Sequence, residues 1–163
     1  MEVALEEAKK ALSMQEVPIG CAVYSGGMLI DKAHNLTNYL RDPLAHAEML
    51  CLERLSDEVL MESELFITCE PCLMCLAALI KKKVARIVYS CKNPRFGGTS
   101  LYVSSGVLIE TESPTEYLIR NENRKIKIEY CDDSERSIGI LKEFYEGANE
   151  RVLIKGGIKK RKK

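Results

Sequence analysis

Two short runs, His46-Ala47-Glu48 and Pro71-Cys72-Leu73-Met74-Cys75, restrict what this chain can fold into, because their side chains make chemical sense together only at one point in space. Cys72 and Cys75 stand three apart, close to one helical turn, so both sulfurs can face a common centre. Pro71 suits the turn that starts such a helix. A helix N-terminus also favours thiolates through its dipole and free N–H groups. His46 and Glu48 are two apart and point in different directions on a helix. The imidazole can therefore bind an ion while the carboxylate leans over the remaining position. One nitrogen and two sulfurs suit Zn2+.

Three protein ligands leave a fourth tetrahedral position for water, the layout of a catalytic rather than a structural zinc site. Zinc lowers the pKa of such a water from ~15.7 to about 7, and Glu48 would accept the proton and return it to a substrate. Cys69 extends the cluster to C-x2-C-x2-C and opens two alternatives, a fourth thiolate or an iron–sulfur run. Iron–sulfur motifs of that form need another ligand just downstream, which is missing here. Within the apolar run ELFITCE, Cys69 reads as a packed thiol outside the ligand shell. In the remaining alternative, His46 is a core histidine and the cysteines merely pack.

Periodicity supplies the framework. Residues 2–14 read as an amphipathic helix, and Ile19–Ser25 and Met28–Ala33 as two strands joined at Gly26-Gly27. A polar loop runs from His34 to Ala45, then 46–56 recover helical spacing. Glu64–Glu70 reads as a buried strand, 72–82 as a helix, Val84–Cys91 as a strand and Lys92–Ser100 as a loop. Residues 101–125 give no clear pattern; Ile126–Tyr130 reads as a last strand and 134–147 as a last helix. This order implies one α/β domain, a sheet flanked by helices. His34 has no cysteine or acid at ligand spacing and reads as a surface residue. Cys21, Cys51, Cys91 and Cys131 read as buried or incidental thiols.

The formal net charge of zero conceals an asymmetry. Residues 151–163 contain seven Lys or Arg and no acid, so the rest of the chain carries the compensating seven negative charges. The chain is thus expected to comprise a domain over 1–147 and a basic tail over 148–163. Lys159, Lys160, Arg161, Lys162 and Lys163 are its candidate RNA contacts. A nuclear-localisation or solubilising role for the tail is the plainer alternative. No apolar run approaches the ~18 residues that span a bilayer, and the acidic start MEVALEEAKK is unlike a secretory signal. An intracellular protein, in the nucleus, the cytoplasm or both, is expected.

The pattern H-x-E followed by P-C-x-x-C resembles the zinc deaminases of the cytidine/deoxycytidylate deaminase superfamily. Glu16-Val17-Pro18-Ile19-Gly20, Asn35, Asp42-Pro43, Ala45–Met49 and Glu70–Cys75 are similar, in order, to the tRNA adenosine deaminases that convert wobble adenosine to inosine. Val88–Gly98 and Leu141–Tyr145, with the basic end, resemble the catalytic subunit of the eukaryotic heterodimeric type. The resemblance spans roughly residues 1–147 and is weakest at 101–133.

This likeness implies a three-layer αβα sandwich around a mixed five-stranded sheet, with Zn2+ held by His46, Cys72 and Cys75 and Glu48 as the catalytic proton shuttle. It implies substrate-binding roles for Asn35 (a hydrogen bond to the base), Val17 (packing on the flipped base) and Ala47 (its amide holding the attacking water). The implied partners are a tRNA anticodon stem-loop and a catalytically inactive paralogous deaminase subunit, with a homodimer as the alternative. Two other functions stay open: a deaminase of free cytosine- or guanine-type bases or nucleotides, and a non-catalytic zinc-stabilised RNA-binding subunit.

Overall fold

The computed structural model describes residues 1–147; the basic tail and its candidate RNA contacts lie outside the described residues. The chain opens with α1 (Glu2–Ser13), whose buried face is mostly alanine, Ala4, Ala8 and Ala11 beside Leu5. Small side chains let this helix lie close to the next element, β1 (Gly20–Ser25). The approach is so tight that a Cβ at Gly20 would fall 2.0 Å from the Ala4 carbonyl oxygen. Glycine is obligatory at that contact.

From β1 the chain turns at Gly26-Gly27 into β2 (Met28–His34), its antiparallel partner. Successive strand residues face opposite sides, so Gly20 and Ala22 meet α1 while Cys21 and Val23 enter the main core. That core also takes Ala47, Cys51 and Leu52 of α3 (Ala47–Arg54) and Leu76, Leu79 and Ile80 of α5 (Leu73–Lys81). Helices therefore cover both faces of the sheet. Two short helices, α2 (Thr37–Leu40) and α4 (Asp57–Met61), lie in segments where no helical period is visible in the sequence.

β3 (Ser63–Ile67) pairs antiparallel with β1 and parallel with β4 (Arg86–Tyr89). The mixed sheet has seven strands in the order β2-β1-β3-β4-β7-β6-β5, correcting the expected five. The two additional strands are β5 (Leu108–Glu110) and β6 (Glu116–Ile119), which extend the sheet beyond β7 (Arg124–Tyr130) by antiparallel pairing. Three and four residues are too few to express an alternating pattern, so the stretch gives no strand signal. β7 itself starts two residues before Ile126 and runs parallel to β4. The segment read as a loop over Lys92–Ser100 also ends early, because α6 (Gly98–Ser104) begins at Gly98.

The last helix, α7 (Ser134–Glu146), packs on α1 through Ile140, against Leu5 and Ala8. A buried hydrogen bond of 2.5 Å between Ser137 Oγ and Ser90 Oγ also ties it to the segment after β4. Among the described residues no helix is long and apolar enough to cross a membrane.

Candidate metal centre and substrate pocket

Both metal-ligand runs fold as helix starts. His46 is the N-cap of α3, in extended backbone geometry, and Cys72 is the N-cap of α5. Ahead of His46 the chain is turned by Asp42-Pro43, where Asp42 Oδ1 accepts the Leu44 amide at 2.8 Å. Neither cap residue closes its own helix by a side-chain bond. For α3 the missing cap comes from outside: Asn35 Oδ1 accepts the Ala47 amide at 2.9 Å. That bond uses the single N–H of Ala47, so the amide expected to hold an attacking water points instead at Asn35.

His46 Nδ1 lies 3.7 Å from Cys72 Sγ and 3.5 Å from Cys75 Sγ. A tetrahedral zinc with bonds of ~2.3 Å to sulfur and ~2.05 Å to nitrogen requires nitrogen–sulfur edges of about 3.6 Å. Both nitrogen–sulfur separations match that edge, and all three donor atoms fall within 4.8 Å of one another, so the residues present fit zinc. Cys69 is buried and outside this group; its thiol neighbours Cys91, whose own Sγ donates to the Thr68 carbonyl at 3.2 Å. A hydrogen bond from Cys75 and the adjoining His46 ring hold the Cys72 thiol down to about 4, against the opposing effect of burial. Ion binding would remove the remaining proton from Cys75.

Glu48 lies in the first turn of α3 and is 3% exposed. Burial pushes its carboxyl upward, helped by the Cys72 sulfur and opposed by its own backbone amide and His46. A carboxylate in such surroundings takes up and releases a proton more readily near neutrality than one in water.

The centre opens into a pocket of about 660 Å3 at the carboxyl ends of β3 and β4. Val17, Ile19 and Asn35 line it, as do residues 92–96 and Leu141 and Tyr145 of α7. Every expected base-contacting residue except Ala47 lines this space, and Asn35 Nδ2 has no partner among the described residues. Phe144 turns away into a separate groove beside α1, whereas Tyr145 is 72% exposed at the pocket.

Three buried acids have structural partners that the sequence does not reveal, although Glu16 and Glu70 lie in the segments that carry the resemblance. Glu16, fully buried, accepts the amides of Asn38 at 3.0 Å and Tyr39 at 2.6 Å and so fixes α2 beside the pocket residue Thr37. Glu70, 7% exposed, accepts the amides of Asn93 at 3.0 Å and Thr99 at 3.2 Å. Glu7 bonds His34 Nδ1 at 2.7 Å, and His34, expected at the surface, is only 17% exposed at its side chain. For Glu16 and Glu70 the available signal is their place in the matching segments 16–20 and 70–75; Glu7 carries none.

A mixed sheet whose strand ends carry one nitrogen and two sulfurs beside a buried carboxylate is the frame of a hydrolytic metal enzyme. Residues 1–91 match the family model described as the cytidine and deoxycytidylate deaminase zinc-binding region. The chain is 34% identical to the tRNA-specific adenosine deaminase of Aquifex aeolicus, over 94% of this chain and 96% of that protein. It is 32% identical to tRNA-specific adenosine deaminase 2 of Xenopus laevis, over 91% and 86% respectively. A structure solved in work on A-to-I editing by tRNA:A34 deaminases superposes with a TM-score of 0.69 at 30% identity, covering 86% of this chain and 97% of that one. A guanine deaminase from Nitrosomonas europaea shares the fold, with a TM-score of 0.65 at 22% identity. The chain belongs to the cytidine and deoxycytidylate deaminase family, as a zinc-dependent deaminase with tRNA-specific adenosine deaminase homologues.

Proposed function

We propose that this chain deaminates the wobble adenosine of tRNA anticodons to inosine. The observation that carries the proposal is Glu48, a buried carboxylate beside a three-ligand centre at the inner end of a nucleotide-sized pocket. A structural zinc site has no use for such a group. The near full-length likeness to tRNA-specific adenosine deaminases supports adenosine in tRNA over a free base.

His46, Cys72 and Cys75 would hold the zinc, which supplies a water acidic enough to attack at neutral pH. Glu48 accepts the first proton from that water and gives it to the ring nitrogen beside C6. The same carboxylate then carries the second proton to the departing amine, so one water is consumed and ammonia leaves. Asn35 Nδ2 donates to the base while Val17 and Ile19 pack on its face. Because the reacting atom is inaccessible in a stacked loop, the adenosine must turn out into the pocket.

The basic tail, with Lys159, Lys160, Arg161, Lys162 and Lys163, would grip the anticodon stem-loop through phosphates. In this reading the working unit pairs the chain with a paralogous subunit lacking the catalytic glutamate, in the nucleus or cytoplasm. The segments Val88–Gly98 and Leu141–Tyr145 support that assignment over a homodimer.

The test is inosine formation on an unmodified tRNA transcript, with and without a candidate partner subunit. Glu48→Ala should retain zinc and abolish product. Zinc-loaded protein that leaves the transcript untouched in both settings yet deaminates guanine or cytosine would overturn the proposal.

A further inference from the structure

Glu70 is a buried carboxylate that forms no ion pair among the described residues; both its oxygens are engaged by backbone amides. Oε2 accepts from Asn93 at 3.0 Å, and Oε1 accepts from Thr99 in the first turn of α6 at 3.2 Å. Its own amide donates to the Cys91 carbonyl at 2.7 Å. The two residues that follow extend the attachment. The Pro71 carbonyl accepts from Gly98 at 2.8 Å, and Cys72 forms a bridge with Gly97. Gly97 packs so closely that a Cβ there would fall 2.4 Å from Glu70 Oε2 and 2.6 Å from the Asn93 carbonyl oxygen.

One turn, Glu70-Pro71-Cys72, thus carries a metal ligand and grips both ends of the segment 93–99. Asn93, Pro94, Arg95 and Phe96 from that segment wall the pocket. Arg95 lies over the Phe96 ring at 5.0 Å from its centroid. The geometry points to Glu70 as a positioning residue for substrate: it sets the distance between the metal centre and the wall at 93–96, and so governs binding without touching the reacting atoms. Two backbone amides held by the two oxygens of one buried carboxylate suit that task, because the planar group fixes the direction of both bonds.

The inference rests on the proposed function only for its kinetic arm. Glu70→Gln keeps the shape and one good acceptor but aims an N–H2 group at one of the two amides. Glu70→Ala removes both acceptors and leaves two buried donors unpaired. In each variant the zinc content, the hydrogen exchange of the Asn93 and Thr99 amides, and steady-state kinetics on an unmodified tRNA transcript are measured. Zinc should stay at the wild-type level while exchange of both amides accelerates. KM should rise about tenfold or more in Glu70→Ala and less in Glu70→Gln, with kcat changed by less than about threefold, the pattern of lost positioning for binding.

Unchanged KM with accelerated exchange would overturn the inference, since the wall would then be free without consequence. Loss of zinc in the isosteric Glu70→Gln variant would also overturn it and make Glu70 a support of the metal site. Should wild-type protein form no inosine, the proposed function fails by itself, and zinc content and amide exchange still decide whether Glu70 holds the wall independently of the metal.

Discussion

Asn35 Oδ1 accepts the backbone N–H of Ala47 at 2.9 Å, so one side chain both caps the helix that carries His46 and Glu48 and lines the pocket. Asn35→Ala should therefore lower stability by about 1–2 kcal/mol, the cost of a buried donor left unpaired, as read from urea melts. If Asn35 holds the base as proposed, the variant's kcat/KM should fall by more than tenfold even where it is fully folded, because that donor is lost as well. Full activity under those conditions would confine Asn35 to capping.

Removing zinc should expose an asymmetry between the two cysteines. With its thiol held down to about 4, Cys72 is a thiolate at pH 6, whereas the Cys75 thiol is pushed upward by its hydrogen bond to Cys72 and by burial. In chelator-treated protein, iodoacetamide at pH 6 should alkylate Cys72 at least about ten times faster than Cys75. Added zinc should protect both. Equal labelling, read by peptide mass spectrometry, would contradict the arrangement.

The Glu7 cluster predicts acid sensitivity on the face remote from the metal. Burial alone would raise the Glu7 carboxyl, but hydrogen bonds from Lys10 and His34 outweigh it and hold the group below its ordinary value of 4.5. A carboxyl depressed in the folded state binds fewer protons there than when unfolded. Its stabilisation is fully present above about pH 4.5 and is lost as pH falls through the lower folded value. Glu7→Gln should be less stable than wild type at pH 7, and the gap should narrow below pH 4.5 in urea melts. A constant gap would mean that Glu7 acts by packing alone.

Deleting residues 148–163 should leave zinc content intact and weaken binding to a tRNA transcript. The dependence of log K on log salt should become shallower by about 0.7–0.9 for each phosphate contact removed. An unchanged slope would leave the tail without an RNA role.

The metal centre was legible because its residues are chemically unusual and closely spaced in the sequence. His46, Cys72 and Cys75 each fall at a helix start, marked by Pro71 for the second helix and by the onset of helical spacing at 46 for the first. The longer helices and the strands of the sheet centre were legible for a similar reason, since each repeats its pattern long enough to be seen. Three kinds of feature were not. β5 and β6 are too short to alternate visibly, and α6 begins inside a Gly-Gly pair that reads as a turn. The acids Glu7, Glu16 and Glu70 work across long sequence separations, pairing with residue 34, 37–39 or 93–99, and no local pattern reports such a partner. The bond from the Ala47 amide to Asn35 likewise joins residues twelve apart, which no local pattern reports.

The position of Cys72 and His46 as helix caps has a consequence for how chains of this kind can diversify. The ion-holding part is built on helix starts, while another part of the cavity wall comes from residues 92–96 and one end of α7. Changes to that wall can accumulate without moving a ligand atom, provided the attachment at Glu70 survives. A laboratory library seeking new base preferences should vary 92–96, Leu141 and Tyr145 together and leave residues 46–48 and 70–75 fixed.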